Sequence, residues 1–235
     1  LLAFIFAVLP QFLLSNQVAT GLGLTLFGLG ISALMGQGYN GIRPPASPRW
    51  EVFGLNELPY VGRILFNQHP MVYVSLALVV AVWWMLRSTR AGHILRAVGE
   101  SHEAAHALGY SVRGTRIAAI LFGGACAGLG GAFLSLVIVP QWTDGMTAGR
   151  GWIALAIVVF ASWRAGRVLL GAYLFGGVTV LQLNLQAAGI KIPVEILSMS
   201  PYLITILVLV IISSDRNRAA TAAPASLGRI FHASG

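Results

Sequence analysis

The residues best placed to do chemistry are His102, Glu103 and His106, which spell H-E-x-x-H. On a helix this spacing puts two imidazoles on one face with a carboxylate beside them, the pattern of a zinc site whose glutamate acts as general base. The match runs on to Gly109, as in H-E-x-x-H-x-x-G-x-x-H, but Val112 stands where the third histidine belongs. A catalytic zinc keeps three protein ligands, and no Asp, Glu or His occurs between His106 and Asp144. A metalloprotease is therefore the weaker reading, and no metal ligand set is assigned. The lone Cys126 lies in an apolar run and offers neither an intrachain disulfide nor a metal cluster.

The element that must position these residues is the stretch Arg96 to Arg116, RAVGESHEAAHALGYSVRGTR, a charged run between two segments apolar enough to enter a bilayer. Ser101 can N-cap a short helix, Glu103 falls in its first turn where the helix dipole favours an anion, and Gly109 can supply a left-handed C-cap. A helix is expected from about His102 to Leu108. Ala104, Ala105 and Ala107 give it a face too small to hold a partner off, as a docking element requires.

Composition sets the class. The chain is 57% hydrophobic and 9% charged, with a mean hydropathy of +0.79, far from the quarter charged typical of a soluble domain. An integral membrane protein follows, with the lipid bilayer as its main partner. The net charge of +8 could suggest nucleic acid, but its distribution does not, and no nucleic-acid partner is expected. No G-x-x-x-x-G-K-[ST] and no G-x-S-x-G occurs, so the chain is read as a non-enzyme and any ATP chemistry must belong to a partner. Leu1 lies inside an apolar run with no methionine before it, which reads as a fragment missing N-terminal helices.

An all-α, polytopic transmembrane bundle of about six membrane segments is expected over residues 1–213, with a cytoplasmic coupling helix. Leu1 to Leu14 ends one membrane helix, and Ser15 and Asn16 break it. Further apolar segments run from about Gln17 to Met35, Met71 to Leu86, Ile117 to Val139, Trp152 to Trp163, Val168 to Ile190 and Ile196 to Ile212. The region 36–70, interrupted by Pro44, Pro45, Pro48 and Pro59, is too polar to span and reads as an external loop. The loop 87–116 reads as cytoplasmic, and residues 214–235 as a disordered cytoplasmic tail. In this orientation Arg87, Arg90, Arg96, Arg113, Arg116, Arg164, Arg167, Arg216, Arg218 and Arg229 lie inside, against Arg43, Arg49, Arg63, Arg150 and Lys191 outside, which satisfies the positive-inside rule. Parity then asks Trp152 to Trp163 to cross, despite its shortness.

Within the membrane, Gly124, Gly128 and Gly131 offer close helix packing at small-xxx-small spacing. Asn16, Gln17 and Thr20, with Gln182 and Asn184, are the candidates for an uncharged translocation path. Interhelical hydrogen bonding is the competing reading of the same groups. Gln182, Asn184 and Gln186 alternate at two residues and so do not share one helix face.

Glu103-Ala104-Ala105-His106-Ala107-Leu108-Gly109 resembles the E-A-A-x-x-x-G loop of ABC-transporter permease subunits, the cytoplasmic helix that docks in a groove of the ATPase. The wider run through GGACAGLGGAFLSL, together with NQVATGLGLTLFGLG, MTAGRGWIALAIVVF and LLGAYLFGG, is similar to the permeases of simple-sugar and nucleoside importers, relatives of the ribose and branched-chain amino-acid permeases. The resemblance implies ATPase coupling through Glu100, Glu103, Ala104, Ala105 and Gly109. It also implies ATP and Mg held by a separate ATPase subunit, a second and different permease subunit, an extracytoplasmic solute-binding lipoprotein, and residence in a prokaryotic inner membrane. Branched-chain amino-acid uptake is the alternative within transport, although no charged intramembrane pair is present to meet such a solute. A receptor or assembly module would need no polar path.

Overall fold

The computed structural model describes residues 1–42, 68–147, 149–189, 223–229 and 231, with isolated positions 199, 203, 206, 207 and 210. Among these the chain is all-α: α1 (Leu2–Phe12), α2 (Gln17–Gly36), α3 (Pro70–Ser88), α4 (Arg90–Glu100), α5 (His102–Ala107), α6 (Val112–Phe133), α7 (Arg150–Phe160) and α8 (Ala165–Ala187). A 3-10 turn, Gln37–Tyr39, follows α2, and a π-helical turn, Leu134–Ile138, prolongs α6.

Helix starts are set by local chemistry. Asn16 Oδ1 accepts from the amides of Val18 and Ala19 at the head of α2, and His69 Nδ1 accepts from Met71 at the head of α3, with Pro70 in the first turn. Thr89, Ser101 and Ser111 cap α4, α5 and α6 in succession, their hydroxyls accepting from Gly92, Ala104 and Gly114. Such caps contribute about 0.5 to 2 kcal/mol each.

The chain falls into two compact units, Leu1–Leu78 with Met85–Ala148 and Ser226–Gly235, and Val79–Trp84 with Gly149–Ala225. In the first, α1 packs on α2 and α6. Gly124 of α6 meets Ala3 of α1 so closely that no Cβ would fit, and Gly28 of α2 sits against Leu2. Gly124 is thus a point of close helix contact, whereas Gly128 and Gly131 meet nothing within 4 Å among the described residues. At one end of the unit Gly36 lies against the Trp142 ring, Asn40 bridges Trp142 and His69 stands edge-on to Phe133. At the other end α4 and α5 pack against the start of α6. Residues flanking 43–67 therefore sit at the opposite end of the unit from the 87–116 loop. Residues 43–67 themselves, and most of Ile196 to Ile212, lie outside the described residues.

In the second unit, α7 and α8 pack together, with Gly171 of α8 seated against Ile157 and Phe160 of α7. Helix α7 ends at Phe160, its last carbonyls closed by amides of Ser162 and Trp163, both in left-handed conformation at φ 51° and 60°.

Four of the described helical stretches are long and apolar enough to cross a membrane: Gln17–Tyr39, Pro70–Ser88, Val112–Ile138 and Ala165–Ala187. Leu2–Phe12 and Arg150–Phe160 are apolar but shorter. Lateral burial of the spans is slight, at most 6% of any apolar window. The buried apolar cluster, Val98, Ala105, Val112 and Phe231 with Ile94 against it, lies instead at the loop end. There water supplies a hydrophobic driving force that lipid does not supply between membrane helices.

Candidate functional site

The 87–116 loop is a built structure. Helix α4, which inspection of the sequence passed over, is amphipathic, turning Ile94 and Val98 inward and Arg96, Ala97 and Glu100 outward. The signal was present in Thr89 as a cap and in apolar residues four apart. Gly92 makes the corner with α3, because a side chain there would strike the Met85 carbonyl and the Leu86 backbone.

Helix α5 spans His102–Ala107, with Leu108 as its C-cap. Gly109 is left-handed at φ +84°; its amide bonds the His106 carbonyl at 2.8 Å, and the Tyr110 amide bonds the Ala105 carbonyl at 3.1 Å. These two bonds form a Schellman motif, which stops the helix and satisfies its last carbonyls. Ser101, Glu103 and Gly109 thus occupy the positions expected for them.

The helix faces divide differently from the expected alanine face. Ala105 is buried among Val98, Val112 and Phe231, whereas Ala104 and Ala107 are exposed. Leu108 joins them at i, i+3 and i+4 and is 73% exposed, with Tyr110 beyond it, also exposed. The outward face is therefore Ala104, Ala107 and Leu108 flanked by Glu103, and Ala105 belongs to the inner packing. Leu108 was missed because attention rested on small residues.

His102 and His106 both lean on the edge of Phe231, with ring centroids 5.9 and 5.4 Å away. The i, i+4 spacing does bring the imidazoles to one side, and a phenyl ring meets them there. Among the described residues no group of three metal-ligating side chains occurs. Burial, with the nearby Arg116 and Arg229 guanidinium groups, pushes the His102 pKa below its ordinary value, opposed by Glu103.

Of residues 214–235, expected to form a disordered tail, the structure describes 223–229 and 231, and these pack on the 87–116 loop. Ser226 donates its amide to the Gly99 carbonyl at 2.9 Å and its hydroxyl to the Glu100 carbonyl at 3.2 Å. The Arg229 carbonyl accepts from Arg116 Nη1 at 3.0 Å and from Gln17 Nε2 at 3.5 Å, and Phe231 is buried. Burial of Phe231 and paired carbonyls hold the segment in place.

The polar groups considered for a path are placed as follows. Asn16 is the cap of α2, Thr20 shares a 2.9 Å hydrogen bond with Ser15, and Gln17 reaches Arg229. All three stand at the end of the unit that holds α5, where Arg113 lies over the Phe12 ring. Gln182 and Asn184 fall in the last two turns of α8, Asn184 exposed and Gln182 half-buried.

Comparison with known proteins places this arrangement. The family described as branched-chain amino acid transport system, permease component, matches residues 1–212. The ABC transporter permease protein TsgC13 of Haloferax volcanii, assigned by its name to glucose, is 40% identical over 230 residues, covering 88% of this chain and 70% of that protein. The nucleoside ABC transporter permease protein NupC of Lactococcus lactis is 37% identical over 163 residues, 68% of this chain and 51% of its own length. The guanosine ABC transporter permease protein NupQ of Bacillus subtilis is 29% identical over 206 residues, 83% of this chain and 64% of its own. No solved structure matches. With a match that runs through nearly all of its length, the chain belongs to the branched-chain amino acid transport system permease family, as a multi-pass membrane protein.

Proposed function

We propose that the chain forms part of the translocation path of an importer for a nucleoside or simple sugar in a prokaryotic inner membrane. In this reading α5 docks on a separate ATPase subunit that holds ATP and Mg, beside a second permease chain and an extracytoplasmic solute-binding lipoprotein. The observation that carries it is α5 itself: a six-residue helix capped at both ends, presenting Ala104, Ala107 and the exposed Leu108 outward from the loop end of the first unit. Small residues allow close approach, Leu108 supplies an apolar anchor, and Glu103 with Glu100 adds acidic groups at the rim. Relatives named for glucose, nucleosides and guanosine support an uncharged, hydroxyl-rich solute. For the path we retain Gln182 and Asn184, and assign Asn16, Gln17 and Thr20 to capping and loop contacts.

The test is co-purification of the ATPase together with uptake of labelled nucleoside and sugar, in membranes with matched permease levels. Gly109→Val places a β-branched residue in left-handed backbone, at a cost of roughly 1 to 2 kcal/mol, and should redirect the chain leaving α5. Ala104→Trp should overfill the docking face. Both are expected to insert normally, weaken ATPase association and reduce uptake at least tenfold, corresponding to about 1.4 kcal/mol of lost coupling. Normal association and uptake in both variants would show α5 to be an ordinary solvated turn.

A further inference from the structure

We propose that residues 226–229 together with Phe231 act as a clasp that positions the coupling helix, with Phe231 as its anchor; the proposal rests on the docking role of α5. An isolated helix of six residues cannot hold itself, since nucleation costs more than one turn returns. The inner face of α5 offers only Ala105 to the cluster formed with Val98 and Val112, and alanine is too small to key a helix in place. Phe231 completes that cluster: it is 5% exposed and its ring meets both His102 and His106. No other aromatic ring among the described residues is paired with either histidine.

The rest of the segment ties neighbouring elements to the same point. The last carbonyls of a helix lack intrahelical donors, and Ser226 supplies donors to two of them in α4, at Gly99 and Glu100. A turn closed by the Arg229 amide on the Ser226 carbonyl, at 3.1 Å, has Gly228 left-handed at φ +75°. That turn delivers the Arg229 carbonyl to Arg116 of α6 and Gln17 of α2. One short segment thus links α2, α4, α5 and α6, and both α2 and α6 lie in membrane-spanning stretches. A push on α5 from the ATPase then moves those helices instead of merely deforming the loop.

Two readouts test this, one of them independent of any ATPase. In purified full-length permease, hydrogen exchange of the amides from His102 to Tyr110 should quicken roughly tenfold or more in Phe231→Ala. Amides in the middle of α6 should not change, and Phe231→Leu should restore most of the protection. In the reconstituted complex, Phe231→Ala should lower solute taken up per ATP hydrolysed several-fold while the ATPase still co-purifies. Unchanged exchange overturns the clasp. Faster exchange with unchanged uptake per ATP overturns its positioning role, provided Gly109→Val abolishes uptake. If Gly109→Val is also silent, the docking role of α5 is what fails, and the positioning proposal falls with it. Should Phe231→Ala fail to accumulate, Ser226→Ala carries the same two measurements: faster exchange and a lower uptake per ATP support the clasp, and no change in either overturns it.

Discussion

His102 is where a metal-site pattern and a packing role meet, and its protonation reports which one operates. The imidazole is buried beside Phe231 with Arg116 and Arg229 nearby, and its pKa is lowered, first by desolvation and then by those cations, against a smaller opposing effect of Glu103. Docking of residues 226–229 and Phe231 therefore favours the neutral ring, and the undocked state binds more protons. Stability of the docked state is then complete above the ordinary histidine pKa of about 6.5 and declines as pH falls below it toward the lowered value. Exchange protection of α5, corrected for intrinsic rates, should fall between about pH 7.5 and about pH 5.5 in the wild type. His102→Gln should flatten that dependence. Protection that stays constant across this range in the wild type would remove His102 from the docking equilibrium. Ser101 and Gly109 were legible in the sequence because caps are chosen by neighbours a few residues away. The inward turn of Ala105 was not, because the ring that buries it comes from Phe231, far along the chain.

At the scale of elements, glycine works by what it lets approach. Gly124 admits Ala3 of α1, and Gly28 and Gly36 admit Leu2 and Trp142, whereas Gly128 and Gly131 touch nothing among the described residues. Spacing showed that α6 could pack closely but not which turn would be used, since that depends on where α1 crosses it. Gly124→Val should therefore destabilise the purified permease by about 1 to 3 kcal/mol, the ordinary cost of overpacking, seen as a lower thermal midpoint in detergent. Gly128→Val should leave that midpoint unchanged. Equal effects at both positions would mean that α1 does not pack where the structure puts it. Asn16, Gln17 and Thr20 find nearby partners for a related reason. Polar residues one turn inside an apolar run look intramembrane, yet Asn16 is a cap and its neighbours face the loop end.

At the scale of the whole molecule, sidedness follows from charge and helix length together. In the first unit α2 and α6 both run from the end that holds α5 to the end that holds Trp142. The start of α6 carries Arg113 and Arg116, the start of α2 meets the same end through Gln17, and cations near membrane ends favour the cytoplasm. Asn40 lies beside Trp142 at the far end and Glu103 on α5, so single cysteines at these positions in a Cys126→Ser background should react with impermeant reagent from opposite sides, Asn40→Cys from outside. Helix α7 adds a sharper case. Its 11 residues rise about 16 Å, roughly half of a 30 Å hydrocarbon core, so it cannot cross alone as a straight helix. The positive-inside rule nevertheless predicts Arg164 and Arg167 inside and Arg150 outside. Both hold if the turn on the outer side of α7, where Gly145 is left-handed, enters the membrane where neighbouring protein shields its backbone. Thr147→Cys should then be protected from external reagent when the protein sits in a bilayer and become reactive in detergent, while Arg164→Cys labels only from inside. Free external labelling at Thr147 in intact membranes would remove the inserted segment. Labelling of Arg164→Cys from outside would reverse the orientation of the second unit.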